Sequence, residues 1–110
     1  MQRMFTRRRR RELERENSIV LSLVQALVGA ISPNVLRINV EFVGHNVRVH
    51  IVLREDLAAD REEFEEEFPA EAAALLQPDF YDCAVVPVIH LDPDNDPNGW
   101  PPGRPIFGGR

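Results

Sequence analysis

The clearest metal-binding pattern in the sequence is an aspartate-rich run near the carboxyl end. Residues Asp94 to Gly99, DNDPNG, match the first six positions of a calcium loop, D-x-D-x-N-G. The twelfth position is Pro105, where a bidentate glutamate is needed, and no flanking helices are predicted. We therefore interpret the run as a series of Asx turns and predict no metal there.

The histidines and the single cysteine do not form a recognisable catalytic or metal set. His45, His50 and His90 lack metal-ligand spacing, and a site made by His50 and His90 on adjacent strands would still need further ligands. Cys83 lies seven positions before His90, which on a strand sends the two side chains to opposite faces. Cys83 is best read as a small buried hydrophobe. We predict no metal and no other cofactor.

Motifs for covalent or nucleotide chemistry are also missing from the sequence. It contains no G-x-S-x-G elbow, no phosphate-binding glycine loop and no dinucleotide fingerprint. An enzyme is therefore the least favoured class of function.

The strongest polar feature is the run from Glu55 to Glu71, with nine acidic residues against the single arginine Arg61. A solvated helix face is the simplest interpretation. However, with one arginine among nine acidic residues, the carboxylates of this helix repel one another, and more basic residues would have avoided this. Such uncompensated negative charge is expected of a surface that attracts a basic protein. The predicted partner-binding residues are Asp60, Glu62, Glu63, Glu66 and Glu67, together with Trp100 in the tail.

Charge is distributed unevenly along the 110 residues, whose number is that of one domain. Residues 1–16 hold seven arginines and three glutamates, 7 − 3 = +4, so the rest of the chain carries −5 − 4 = −9. An acidic body disfavours nucleic acid as the main partner and favours a basic protein. One cysteine excludes an internal disulfide.

The elements that must position these residues are organised around a hairpin from Val35 to Arg54. Gly44 suits the first central position of a II′ turn. That turn pairs residues whose numbers sum to 89, which places Glu41 opposite Arg48. It also gathers eight apolar residues on one face, which must be buried. These are Leu36, Ile38, Val40, Phe42, Val47, Val49, Ile51 and Leu53.

Helical periodicity precedes and follows the hairpin. The first predicted helix runs from Glu12 to Ile31, with an apolar stripe formed by Leu13, Val20, Leu23, Val24, Leu27, Val28 and Ile31. The second begins at Glu55 and Asp56 and carries the stripe Leu57, Phe64 and Phe68. We expect it to stop at the pre-proline residue Phe68, with a short helix Ala70 to Gln77 after Pro69.

A third strand, Asp82 to Leu91, is predicted beside the second strand and parallel to it. Pro87 cannot donate to a ladder, which places this strand at the edge of the sheet. The tail from Asp92 to Arg110 is predicted to be extended coil with a docked Trp100. Ile106 and Phe107 could add a short last strand.

We predict three segments: a disordered arginine-rich arm at 1–11, one α+β domain at 12–92 and a partly docked tail at 93–110. The arm could instead tether the chain to nucleic acid or anionic lipid, or be a start-site extension. Arginines before an apolar run also imitate a signal peptide, but cleavage after Ala30 would remove the helix that covers the hairpin. We expect a cytoplasmic protein without a membrane span.

Three segments resemble a known family. Residues Ala26 to Asn34, ALVGAISPN, are similar to the A-L-x-G-x-I-[ST]-P-N segment of small bacterial immunity-type proteins found beside polymorphic and contact-dependent toxins. The run Asp60 to Glu63, DREE, resembles the E-D-R-E stretch that opens their second helix, and the terminal IFGGR resembles their closing aromatic strand. The arginine arm, the Pro69 to Gln77 segment and the proline-rich tail depart from that pattern.

The combined interpretation is an α+β protein in which two helices cover one face of a three-stranded, or four-stranded, sheet. The resemblance implies an immunity or antitoxin-like protein. We expect it to bind a basic cognate toxin, with a nuclease as the expected activity, and to block it by occupancy. The alternative is a regulatory or structural binding module unrelated to toxins. The sequence leaves the choice between monomer and homodimer open.

Overall fold

The computed structural model describes residues 2–80 and 82–108 and has helices on one face of a four-stranded sheet. Helices α1, α2 and α3 span Gln2–Leu27, Ala58–Glu62 and Phe68–Phe80; strands β1 to β4 span Val35–Val43, Asn46–Leu53, Val85–Leu91 and Arg104–Gly108. The strand order is β3-β2-β1-β4. The predicted α+β fold is confirmed, and the sheet has four strands, the larger of the two numbers that the sequence left open. The predicted start of the arm at Met1 and the end of the closing segment, residues 109–110, lie outside the described residues.

The predicted hairpin register is confirmed over most of its length. Ile38 pairs with Ile51 and Glu41 with Arg48, as numbers summing to 89 require. Gly44 has a φ of 62°, and Asn95 is the one described non-glycine residue with positive φ. His45 therefore has negative φ, which agrees with the predicted II′ turn.

The register changes at the open end of the hairpin. Val35, not Leu36, pairs with Leu53, and a bulge lies between Val35 and Arg37. A bulge sets two residues of one strand against one of the other, so the side-chain alternation restarts. Val35 is consequently buried and Leu36 is half-exposed. The predicted pairing of Leu36 with Leu53 is wrong for this reason.

Helix α1 buries a stripe that only partly matches the predicted one: Val20, Leu23 and Leu27 are buried as predicted, and the other four members are not. Its buried residues are Ile19, Val20, Leu23, Ala26 and Leu27. The predicted members Leu13, Val24, Val28 and Ile31 are 38–77% exposed. Apolar residues surround this part of the helix, so periodicity alone permits more than one face, and the position of the sheet selects between them. The helix also ends at Leu27, before Ile31, and Gly29 with a φ of 88° turns the chain away.

The first helix starts at Gln2 instead of the predicted Glu12. Arginine is a good helix former and no proline or glycine interrupts the arginine run, so the backbone can continue the helical path. The side chains of residues 9–14 are exposed and bury no apolar surface. The disorder that we predicted for residues 1–11 in solution stays a prediction.

The second predicted helix does not stop at Phe68. Helix α2 continues through a π-helical turn, Glu63–Glu67, into α3, and Phe68 itself is helical with φ −58° and ψ −48°. Proline cannot donate to the carbonyl four residues back and its ring crowds that carbonyl. In the π turn the Phe68 N–H bonds to the Glu63 oxygen, five residues back, so the turn just before Pro69 is wider. This local rearrangement accommodates the proline without ending the helix.

The two outer strands lie on opposite edges of the sheet. Strand β3 is parallel to β2, with pairs from Val47 and Val85 to Leu53 and Leu91, so its predicted place and direction are confirmed. Strand β4 pairs antiparallel with β1. Residues 97–103, here called the strap, lead into β4. The chain therefore passes from one sheet edge to the other between β3 and β4.

We predict that Leu23→Asp unfolds the domain and that Leu21→Asp does not. Leu23 is fully buried and Leu21 is 71% exposed on the same helix. Truncating a buried leucine costs about 2–5 kcal/mol, and an unpaired buried carboxylate adds to that loss. The midpoint of urea denaturation measures both effects. Equal midpoints for the two variants would show that α1 packs through another face.

Deletion of residues 1–11 should leave thermal stability unchanged, because the side chains of residues 9–11, the described ones of this segment, are exposed. The melting temperature of the truncated chain measures this. A loss of several degrees would show instead that the arm packs on the body of the protein.

Candidate partner-binding site

The acidic helix is anchored by two aromatic residues and presents its carboxylates on the other side. Phe64 and Phe68 are fully buried and their rings meet edge to face, with centroids 6.5 Å apart. Glu62, Glu66 and Glu67 are exposed, and Glu63 is half-buried. We call these four glutamates the acidic surface. Their backbone is held by the core, so the charge is presented at a fixed place.

Little positive charge relieves the acidic helix. Arg61 is hydrogen-bonded to Asp56, and its Nη1 lies 2.9 Å from the Glu65 Oε1 atom. Both partners belong to the predicted acidic run but not to the acidic surface. In the ion pairs of the described residues, the four glutamates of the acidic surface have no cationic partner.

Glu63 has a raised pKa on this surface. A hydrogen bond to Glu67, followed by burial and by the negative charge of Glu67, raises the pKa of Glu63 to about 7. Two carboxyl groups so close cannot both ionise freely. The charge of the acidic surface therefore increases as pH rises through about 7.

Asp60 differs from the other predicted binding residues because it is buried, at 7% exposure. Its two carboxylate oxygens accept hydrogen bonds from Ser32 Oγ at 2.9 Å and Asn34 Nδ2 at 2.8 Å. Asn34 also donates to the Glu55 carbonyl and accepts from the Glu55 N–H. Asp60 thus joins the turn after α1 to the start of α2, and we leave it out of the acidic surface.

The hydrogen-bonded set of Ser32, Asn34 and Asp60, here called the clamp, explains two of the sequence motifs. Ser32 and Asn34 belong to the S-P-N segment, and Asp60 opens the D-R-E-E segment. Sequence reasoning treated both as punctuation of helices and missed that they contact each other. The sequence did contain one signal of this contact. Both segments carry side chains that can hydrogen-bond, and one lies before the hairpin and the other after it.

Trp100 lies on the opposite face of the sheet from the helices. Its ring stacks on Arg37, with the guanidinium carbon 3.8 Å from the ring centroid. Arg37 alternates with core residue Ile38, so it points away from the helical layer. The predicted docking of Trp100 is therefore found, but the structure does not bring this residue together with the acidic surface.

Part of the outer face of the sheet is itself buried, which the hairpin pattern did not indicate. Arg37 is 8% exposed, Asn39 2% and His50 5%. The Asn39 side chain donates to the Pro101 carbonyl at 2.8 Å, which ties the strap to the sheet. Burial of polar side chains requires partners for them, and the strap supplies the Pro101 carbonyl to Asn39 and the Trp100 ring to Arg37.

A hydrogen-bonded chain runs across this face through three strands. His50 Nε2 lies 3.0 Å from Glu41 Oε1, and His50 Nδ1 lies 2.9 Å from His90 Nε2. Hydrogen bonding to His50 lowers the pKa of Glu41, with a smaller contribution from Arg48, so Glu41 accepts. His50 Nε2 then donates to it, and His90 donates to His50 Nδ1. Sequence reasoning considered His50 and His90 together but only as metal ligands.

The remaining candidate groups are structural. Cys83 is buried in the core and its pKa is raised, mainly by that burial, which disfavours the nucleophilic thiolate. Asp96 accepts from the Asn98 N–H at 3.0 Å, and Asp92 accepts from the Asp96 N–H at 2.8 Å. These bonds agree with the predicted Asx turns. Within residues 2–80 and 82–108, no cluster of three or more potential ligands could hold a metal ion.

We predict that His90 makes the protein sensitive to acid. Burial first, and the neighbouring His50 second, lower the pKa of His90 below 6.5, so the unfolded chain binds the proton more readily. Stability should be present above pH 6.5 and be lost as pH falls through the lower folded pKa. Urea midpoints between pH 7 and pH 5 measure this loss.

The variant His90→Gln should lose less stability over the same pH range. Glu63 acts with the opposite sign, because its raised pKa favours the folded state on acidification, but it is common to both proteins. Parallel pH profiles for parent and variant would contradict a role for His90.

The described helices include none that is both long and apolar enough to cross a membrane. A comparison with curated proteins finds no match. The model of the MafI2 immunity protein family, by contrast, matches residues 16–97, from the middle of α1 to the beginning of the strap. The matched range contains the clamp, the acidic surface and the polar chain on the outer face of the sheet. The chain belongs to the MafI2 immunity protein family.

Proposed function

We propose that this protein neutralises a cognate toxin by binding it through the acidic surface. Toxin immunity is the role that the family indicates. The partner in this proposal is a basic toxin domain, with a nuclease as the expected activity, since nucleases present cationic surfaces to their substrates. A family of immunity proteins also favours a non-enzymatic role, in which binding itself blocks the toxin.

The observation that carries this proposal is the placement of four glutamates on one anchored helical segment. Glu62, Glu66 and Glu67 are exposed on the side opposite the buried Phe64 and Phe68. Like charges in such proximity repel each other, which costs stability unless a basic partner relieves it. A cationic partner would be attracted before contact and would gain from the relief of repulsion after contact.

The compartment that we propose for this binding is the cytoplasm, as the sequence analysis expected. The apolar run that imitates a signal peptide supplies Ile19, Leu23 and Ala26 to the core. Removal of this segment would expose the inner face of the sheet to water, at a cost far above the stability of a small domain.

The triple variant Glu62→Gln, Glu63→Gln and Glu66→Gln should bind the toxin more slowly. We expect the association rate to fall about tenfold at about 50 mM salt, because long-range attraction steers encounter. At about 500 mM salt the screening length is only a few ångströms, so parent and variant should converge. Stopped-flow association with the cognate toxin domain measures this.

The matched control changes three glutamates elsewhere: Glu12, Glu14 and Glu16 of α1 become glutamine. At pH 8, where Glu63 is largely ionised, the net charge changes by about the same amount, so a comparable loss of rate in the control would show that total charge, not the acidic surface, steers binding. The parent should also bind more tightly as pH rises from 6 to 8, because Glu63 ionises with a pKa of about 7. The triple variant should lack this rise.

A further inference from the structure

Arg37 is a buried cation without a counterion among the residues that the structure describes. Its side chain is 92% buried, its Nε donates to Asn39 Oδ1 at 3.0 Å, and its Nη1 is enclosed with no hydrogen-bond partner. Removing a charge from water is costly unless it is paired. Stacking on Trp100 at 3.8 Å and one amide oxygen do not neutralise a full positive charge.

The neighbouring carboxylates are already engaged. Glu41, on the same face of β1, accepts from His50 at 3.0 Å and lies 3.6 Å from Arg48. Asp92, at the start of the connection between β3 and β4, accepts from the Asp96 N–H. Neither of these two carboxylates forms an ion pair with Arg37.

Trp100 contributes a second unsatisfied donor in the same stack. Its indole Nε1 is buried and has no hydrogen-bond partner within the described part of the chain. Arg37 Nη1 and Trp100 Nε1 are both N–H donors, one of them on a planar cation, and a carboxylate has two oxygens that can accept from them. A neutral ligand would leave the charge of Arg37 uncompensated, so the chemistry favours an anion.

The strap forms the wall of this position and can also give access to it. Its backbone is tied to the sheet by the bond from Asn39 to the Pro101 carbonyl. Gly103, with a φ of 105°, packs so closely that an added Cβ would meet the Val40 oxygen at 2.5 Å. Trp100, in contrast, is half-exposed, so its side chain can move while the backbone on either side stays attached.

We propose that Arg37 and Trp100 form a binding site for a carboxylate group on the outer face of the sheet. The carboxylate accepts from Arg37 Nη1 and the indole N–H after a shift of the Trp100 side chain, and it supplies the missing negative charge. The carboxylate comes from a small solute or from a protein chain, and both sources share this chemistry. The site is separate from the acidic surface and does not depend on its function.

Trp100 is the only tryptophan, so its fluorescence reports directly on this site. Titration of the full chain with sodium formate, replacing sodium chloride at constant ionic strength, should change its emission in a saturable manner. The efficiency limit for a three-atom ligand sets the dissociation constant at about 1 mM or weaker. At a dissociation constant of about 10 mM, about 100 mM formate should raise the melting temperature by roughly 5 °C.

Arg37→Met and the control Arg48→Gln separate this site from general salt effects. Arg48 lies on the same face but is exposed and paired with Glu41. Arg37→Met should lose both responses to formate, and its melting temperature in chloride should equal or exceed that of the parent, since an unpaired buried charge is gone. Arg48→Gln should retain both responses.

A second titration, with acetylated diglycine and its carboxyl-terminal amide, distinguishes the two sources. A response to formate alone assigns the site to small solutes, and a response to the free acid but not the amide extends it to chain carboxylates. If the parent responds to neither formate nor the free acid, or Arg37→Met responds as the parent does, the proposal is wrong. Arg37 would then serve only to hold Trp100.

Discussion

The structure depends on the pairing of β1 with β2, because this pairing decides what lies on each side of the sheet. In the register of Ile38 with Ile51, one face is apolar and the other carries Arg37, Asn39 and His50. Helices cover the apolar face and the strap covers the polar one. A buried apolar side chain needs only close packing around it, whereas a buried polar side chain needs a hydrogen-bond partner. The helices and the strap therefore meet different chemical requirements.

The clamp around Asp60 transmits this arrangement to the helix that carries the acidic surface. Ser32 and Asn34 hold Asp60 at the start of α2, while Phe64 and Phe68 fix the following turns in the core. The π turn admits Pro69 between them. The position of the acidic surface is thus determined by the buried Asp60 carboxylate, by the buried rings of Phe64 and Phe68, and by the π turn.

The two faces of the molecule have opposite electrostatic character. The helical side presents carboxylates with little positive charge beside them. A hydrogen bond to Glu67 raises the pKa of Glu63 there to about 7. On the outer face of the sheet, the Arg37 guanidinium has no carboxylate partner among residues 2–80 and 82–108. An immunity protein needs to recognise one partner and reject others, and two surfaces with opposite requirements would discriminate better than one.

The sequence by itself determined the hairpin register, the edge position of β3 and the acidic run, because alternation, a proline and local charge are properties of neighbouring residues. It did not determine which stripe of α1 is buried, since apolar residues surround that helix and only the sheet chooses between them. The helical path through Phe68 was likewise invisible, because a π turn is a response to packing around Phe64 and Phe68. Tertiary structure alone decided that Asp60 meets Ser32 and Asn34, and that Trp100 covers Arg37. These contacts join residues 26 to 63 positions apart, and their energy depends on burial that no local pattern encodes.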